Sequence, residues 1–136
     1  MQHRSAAAGW PADLGRTLVT KRRAEALTGY EIRCAEIGRP VRRFVCAAYD
    51  GDMLVAEEAH ADQGLALAAL VRAVYRRNRE QVMEHSGWRC ARCGGTSWLQ
   101  VHHRRFRSHG GTYQPENLEP VCWPCHRRIH RSERSK

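Results

Sequence analysis

Two Cys-x-x-Cys pairs set the strongest limit on what this chain can fold into. Cys90-Ala-Arg-Cys93 and Cys122-Trp-Pro-Cys125 are separated by residues 94 to 121, and Gly94-Gly95 turns the chain directly after the first pair. Without a secretory signal, pairs so arranged read as the two knuckles of a tetrahedral four-cysteine zinc site. Two disulfides are the competing reading. The stretch MQHRSAAAGWPADLG has no apolar stretch of the kind a signal peptide carries, and the longest apolar run, LALAALV at residues 65–71, is far too short to cross a bilayer. A cytoplasmic chain with no membrane partner is therefore expected. Cys34 and Cys46 fall outside the pattern and are expected as small buried apolar residues, not ligands.

Regrouping Cys90 and Cys93 with His126 and His130 into a two-Cys, two-His finger fails on spacing. Such a finger sets about a dozen residues between its Cys and His pairs, and here residues 94 to 125 intervene. Four histidines are then left to account for. In CHRRIH, behind Pro124, His126 and His130 stand at i and i+4, and a helix would bring them to one face one turn apart. Two imidazoles so spaced can grip one metal ion; a pair of surface histidines is the competing reading. His102 and His103 are neighbours in LQVHHRRFRSHGG, between an apolar strand-like run and the Gly110-Gly111 turn. Strand neighbours point to opposite faces, so these two cannot do the same job.

Charge narrows the partner. Lys+Arg 23 against Asp+Glu 14 gives a net charge of +9, which suits a polyanion. The excess is concentrated after residue 80, and Lys21 and Lys136 are the lysines in an otherwise all-arginine set. Arginine forks onto phosphate where lysine acts as a point charge. A solvated basic face is the bland alternative.

Read in order, His102-His103, Gly110-Gly111, Asn117 in ENLEPVC and the final CHRRIH resemble the HNH endonuclease family. That family has a ββα-metal core, and the resemblance is to the subgroup stapled by two C-x-x-C knuckles. It covers residues 86–131. It implies a metal-dependent hydrolase of phosphodiester bonds in DNA, in which the first residue of the pair binds metal and the second is the general base. It also implies that Asn117 fixes the loop carrying His103. This chain has His102 where Asp is commoner, although a His-His pair also occurs in the family. The preferred ion is thus open among Mg2+, Mn2+, Ni2+ and Zn2+, since imidazole and carboxylate favour different metals.

The chemistry agrees with the resemblance. Phosphodiester hydrolysis needs a water deprotonated near neutral pH, a cation against the growing phosphate charge, and stabilisation of the departing 3′-oxygen. Histidine has the side-chain pKa for the first task, about 6.5 unperturbed. His102 is expected to turn toward the helix and join His126 and His130 around one divalent ion, leaving His103 to face the water as base. Arg104, Arg105 and Arg107 are expected to meet neighbouring phosphates, and His109 to be an ordinary loop histidine. A module this small requires a staple. Cysteine-bound Zn2+ would pin the start of the hairpin to the start of the metal-binding helix, with Trp88, Trp98 and Trp123 packed around it.

Ahead of the module, YEIRCAEIG, VRRFVCAAYDG and DMLVAEEAH read as strands, with Asp50-Gly51 a hairpin turn. A short helix around residues 20–28 precedes them, and one long helix or two short ones follow, ending at Gly87. The α-β-β-β-α order and the Tyr30, Gly38 and Phe44 spacing resemble a double-stranded-RNA-binding domain. That family's lysine-rich second-helix start is missing, since Asp62-Gln63-Gly64 stands there. A DNA-docking or dimerising accessory domain is equally compatible. The expected fold class is α+β: a loose arm over residues 1–18, an accessory domain over 19–85, and a zinc-stapled ββα-metal (HNH) module over 86–136. Double-stranded DNA is the favoured partner, with RNA less favoured and dimerisation possible. The rival reading is a non-catalytic zinc-ribbon nucleic-acid-binding protein.

Overall fold

The computed structural model describes residues 19–134; the loose arm expected over residues 1–18 lies outside the described residues. Helix α1 (Lys21–Thr28) starts where the Thr20 side chain accepts from the Arg23 N–H at 3.1 Å. It stops at Gly29, whose left-handed backbone, with φ of 78°, returns its N–H to the Glu25 carbonyl. Strands β1 (Glu31–Ile37), β2 (Arg43–Asp50) and β3 (Met53–His60) form an antiparallel meander in sequence order. Helix α2 (Gln63–His85) is a single element of 23 residues, capped by Asp62 accepting from the Leu65 N–H. The α-β-β-β-α order thus holds.

Alternation along the strands sends Ile32, Cys46, Ala48 and Val55 to one core, where they meet Ala24 of α1 and Leu67, Leu70, Val71 and Val74 of α2. Cys34 and Cys46 belong to neither group of candidate metal ligands, as expected, and Cys46 is fully buried while Cys34 is only partly so; what the expectation lacks is their link to each other. They are directly opposite in the β1–β2 register, with Cα atoms 4.2 Å apart, and the structure joins them in a disulfide. Antiparallel pairing brings opposed side chains this close wherever a hairpin aligns them, and sequence spacing alone does not disclose that register.

The C-terminal module is a hairpin, β4 (Leu99–His103) and β5 (Leu118–Cys122), followed by helix α3 (Trp123–Arg134). Leu99, Val101, Leu118 and Val121 build a second core with Cys90, Cys122 and Cys125. Met83, near the end of α2, completes it with full burial, so α2 belongs to both cores. Of the three tryptophans expected around the cysteines, Trp88 packs against this core, whereas Trp98 and Trp123 are exposed. Their backbones do the joining instead. The Trp123 N–H donates to the Trp98 carbonyl at 3.0 Å, tying the start of β4 to the start of α3.

Polar contacts lock the two cores together. The Tyr113 N–H donates to the Leu27 carbonyl at 2.9 Å, and Gln114 Nε2 donates to the Gly29 carbonyl. Fully buried Asn78 of α2 donates through Nδ2 to both the Tyr30 hydroxyl and the Tyr113 carbonyl. Among the described residues, no helix is long and apolar enough to cross a membrane.

Candidate active site

All five residues of β4 are buried, so this strand has packed neighbours on both faces and the two adjacent histidines enter different surroundings. His102 faces α3: its ring lies 5.4 Å from that of His126 and 5.8 Å from that of His130. The i, i+4 spacing on α3 brings the Nε2 atoms of His126 and His130 to 3.0 Å from each other. The ligand nitrogens of the three residues all lie within 4.8 Å of one another. Phe106 stacks on His130 with ring centroids 4.8 Å apart.

His103 points away from this triad and lies edge-on against Tyr113, at 5.2 Å between ring centroids. It is only 7% exposed, less open than the expected water-facing base, and its buried Nε2 has no hydrogen-bond partner. Even so, His102 and His103 both line one hollow of about 380 Å3, together with Phe106, Arg107, His126 and His130. A ligand there would meet the triad and His103 at once.

Burial dominates the electrostatics. It pulls the His103 imidazole down to about 4, helped by the charge of Arg107 and by His102. His126 is likewise pulled to about 4, by burial and then by His130 and His102. Burial lowers His102 too, against the pull of the Glu119 carboxylate facing it across the hairpin. These three imidazoles are therefore neutral near pH 7, with lone pairs available to a metal or a proton. The 3.0 Å between the Nε2 atoms of His126 and His130 suits two ligands of one ion at about 2.0–2.1 Å from each, and His102 offers a third nitrogen beside them.

The loop between β4 and β5 is held by Asn117. Its Oδ1 accepts from the Arg105 N–H at 2.8 Å, and its Nδ2 donates to the carbonyls of Thr112, at 2.8 Å, and Arg105, at 3.2 Å. The Asn117 carbonyl also accepts from the Arg104 N–H. Gly111 is required at this point, because a Cβ would collide with the Arg105 carbonyl and crowd the Asn117 amide. The three loop arginines part ways. Arg104 reaches Glu119 at 3.5 Å, Arg105 donates through Nε to the His109 carbonyl, and Arg107 lines the hollow. His109, expected as an ordinary loop residue, also stacks its ring on Phe106.

The four sulfurs of Cys90, Cys93, Cys122 and Cys125 converge within 4.8 Å, with Cys93 and Cys122 at 3.6 Å. Burial raises Cys90, but backbone groups of Cys122, Cys93 and Arg92 outweigh it and bring the thiol down to about 6. Cys122 is pushed up to about 12 by burial and by hydrogen bonds in which its thiol donates to the other three sulfurs. A thiolate therefore forms readily at Cys90, whereas Cys122 holds its proton, and a cation placed among the sulfurs would favour its loss. Arg128 donates to Cys125 at 3.3 Å and offsets part of that negative charge.

Sequence reasoning missed several contributors. Glu119 is buried in the hairpin and accepts from Arg92 at 2.7 Å. Tyr113 and Phe106 wall the two histidine sites, yet each is a single aromatic in an irregular loop with no periodicity to reveal it. A hairpin and a helix thus gather three histidines at one point, and four cysteines gather at another. Residues 90–132 match the family model described as HNH endonuclease, which places the match on β4, β5 and α3 and leaves the α-β-β-β-α region outside it. No curated protein and no solved structure matches the chain.

Proposed function

We propose that this protein is a metal-dependent HNH endonuclease that hydrolyses phosphodiester bonds in DNA. The observation that carries the reading is the split between adjacent histidines. His102 joins His126 and His130 in a ligand set, while His103 stands outside that set yet lines the same hollow. His102, His126 and His130 hold the divalent ion, from among Mg2+, Mn2+, Ni2+ and Zn2+. Bound there, it supplies positive charge against the phosphate oxygens and the departing 3′-oxygen.

The chain's own groups do the rest. His103, neutral well below pH 7, accepts the proton of the attacking water. Tyr113 holds its ring from behind, and Asn117 fixes the loop that follows it. Arg107 adds positive charge at the rim of the hollow. The four cysteines hold a structural Zn2+ that keeps β4 and α3 in register. The net charge of +9 supports a nucleic-acid partner, and double-stranded DNA is favoured over RNA.

Supercoiled plasmid incubated with the full chain and each of the four metals tests this directly. Relaxation or linearisation by the wild type, absent with His103→Ala, is the expected result. Plasmid left intact with every metal, alongside salt-sensitive binding, would favour the zinc-ribbon rival.

A further inference from the structure

Helix α3 borders a second hollow, of about 310 Å3, lined by Trp123, His126, Arg127, His130, Arg131 and Arg134. Spaced by three and four residues, these six form one stripe along the helix. The stripe is continuous with the first hollow, because His126 and His130 line both. Three of its six lining residues are the arginines Arg127, Arg131 and Arg134. At its head the Trp123 indole is 51% exposed, with the Arg127 guanidinium 5.8 Å from its ring centre. An indole with half its surface open to solvent, beside arginines, presents an aromatic face on which a flat ligand can stack.

We propose that this stripe is a subsite for nucleotides flanking the scissile phosphate, with an unpaired base stacked on Trp123 and successive phosphates on Arg127, Arg131 and Arg134. The positive stripe complements a polyanionic strand, and the indole complements the face of a base. In a duplex both faces of each base are covered by its neighbours, so a base that stacks on Trp123 must be unpaired or turned out. The substrate class this selects is DNA with a frayed, gapped or single-stranded segment beside the cut. The inference rests on the nuclease reading of the adjoining hollow.

Fluorescence anisotropy with the full chain, no added divalent ion, and one labelled DNA oligonucleotide offered single-stranded or as a duplex tests the subsite. Trp123→Leu keeps apolar bulk but removes the ring, and is expected to weaken single-strand binding about tenfold while changing duplex binding less than about twofold. Trp123→Phe should retain most of the single-strand affinity. Arg131→Ala and Arg134→Ala should weaken both substrates and lower the salt slope by about one each. Equal affinities for wild type and Trp123→Leu on the single strand, equal losses on both substrates, or unchanged salt slopes in both arginine variants would overturn the proposal. The two readings fail separately: this binding pattern in a chain that cuts no plasmid keeps the subsite and removes the hydrolysis. Plasmid cutting without the pattern does the reverse.

Discussion

His103 rests edge-on against Tyr113, and Tyr113 is enclosed in the core built by the α-β-β-β-α region. On its other side Tyr113 meets Tyr75 of α2, with ring centroids 5.1 Å apart. The proposed base is therefore backed by a side chain that the N-terminal region buries, so the two regions share one wall of the site.

The adjacent histidines should separate in mutants. His103→Ala should lower cleavage by about a hundredfold or more while isothermal titration finds divalent-ion affinity close to wild type. His102→Ala and His126→Ala should weaken that affinity, and His130→Ala should do so as well. Metal lost from His103→Ala as readily as from His102→Ala would show the roles to be wrongly assigned.

Gly111→Ala should destabilise the β4–β5 loop by about 1–3 kcal/mol, since the new methyl meets backbone and cannot be relieved by a rotamer change. Urea denaturation measures the cost. Wild-type stability in this variant would mean that the Arg105 carbonyl yields freely.

Asn78→Ala removes two donated hydrogen bonds inside the protein and leaves the Tyr113 carbonyl without that donor. A loss of about 1–3 kcal/mol is expected. Because Asn78 links both cores, intrinsic fluorescence and far-ultraviolet dichroism should still report one shared transition at the lower midpoint. Two separated transitions would contradict the linkage.

Acid should weaken the protein through its buried imidazoles. His103 and His126 sit at about 4 when folded and near 6.5 when unfolded. Between those values the unfolded chain takes up protons that the folded chain refuses. Their contribution is fully present above about pH 6.5 and is lost as pH falls toward 4. Without added divalent ion, the urea midpoint should drop from pH 7.5 to pH 5, and His103→Gln should shrink the drop. An equal drop in both proteins would remove His103 from the account.

Metal analysis should find one zinc per chain at the cysteine cluster, with Cys90→Ser or Cys122→Ser losing it along with the fold of the module. Cys34→Ser lies in the separate β1–β2 pair and should keep the zinc. Zinc retained in both knuckle variants would place the ion elsewhere.

Local rules carried the sequence reading a long way. The knuckle spacing, the i, i+4 histidines and the α-β-β-β-α order all depend on neighbours in the chain, and each stands in the structure, whereas the hairpin turn falls one residue later than expected, on Gly51-Asp52, because Asp50 pairs with Met53. What stayed hidden depends on which distant residues meet. Hairpin register paired Cys34 with Cys46. The helix start left Trp123 outside the core, and Glu119 drew Arg104 toward itself. Tyr113 and Asn78 carried no pattern at all, because a lone loop tyrosine and a lone helical asparagine acquire meaning only where α2 crosses the loop.

Helix α2 contributes Leu67 through Tyr75 to one core and Met83 to the other. A piece of the chain trimmed to the family match, residues 90–132, would keep every proposed ligand and the proposed base. It would lack the floor under its hydrophobic layer and the packing behind Tyr113. The shortest working fragment is thus longer than its chemistry suggests, and transplanting the histidines and cysteines alone into a fusion would deliver a loose imitation of the site.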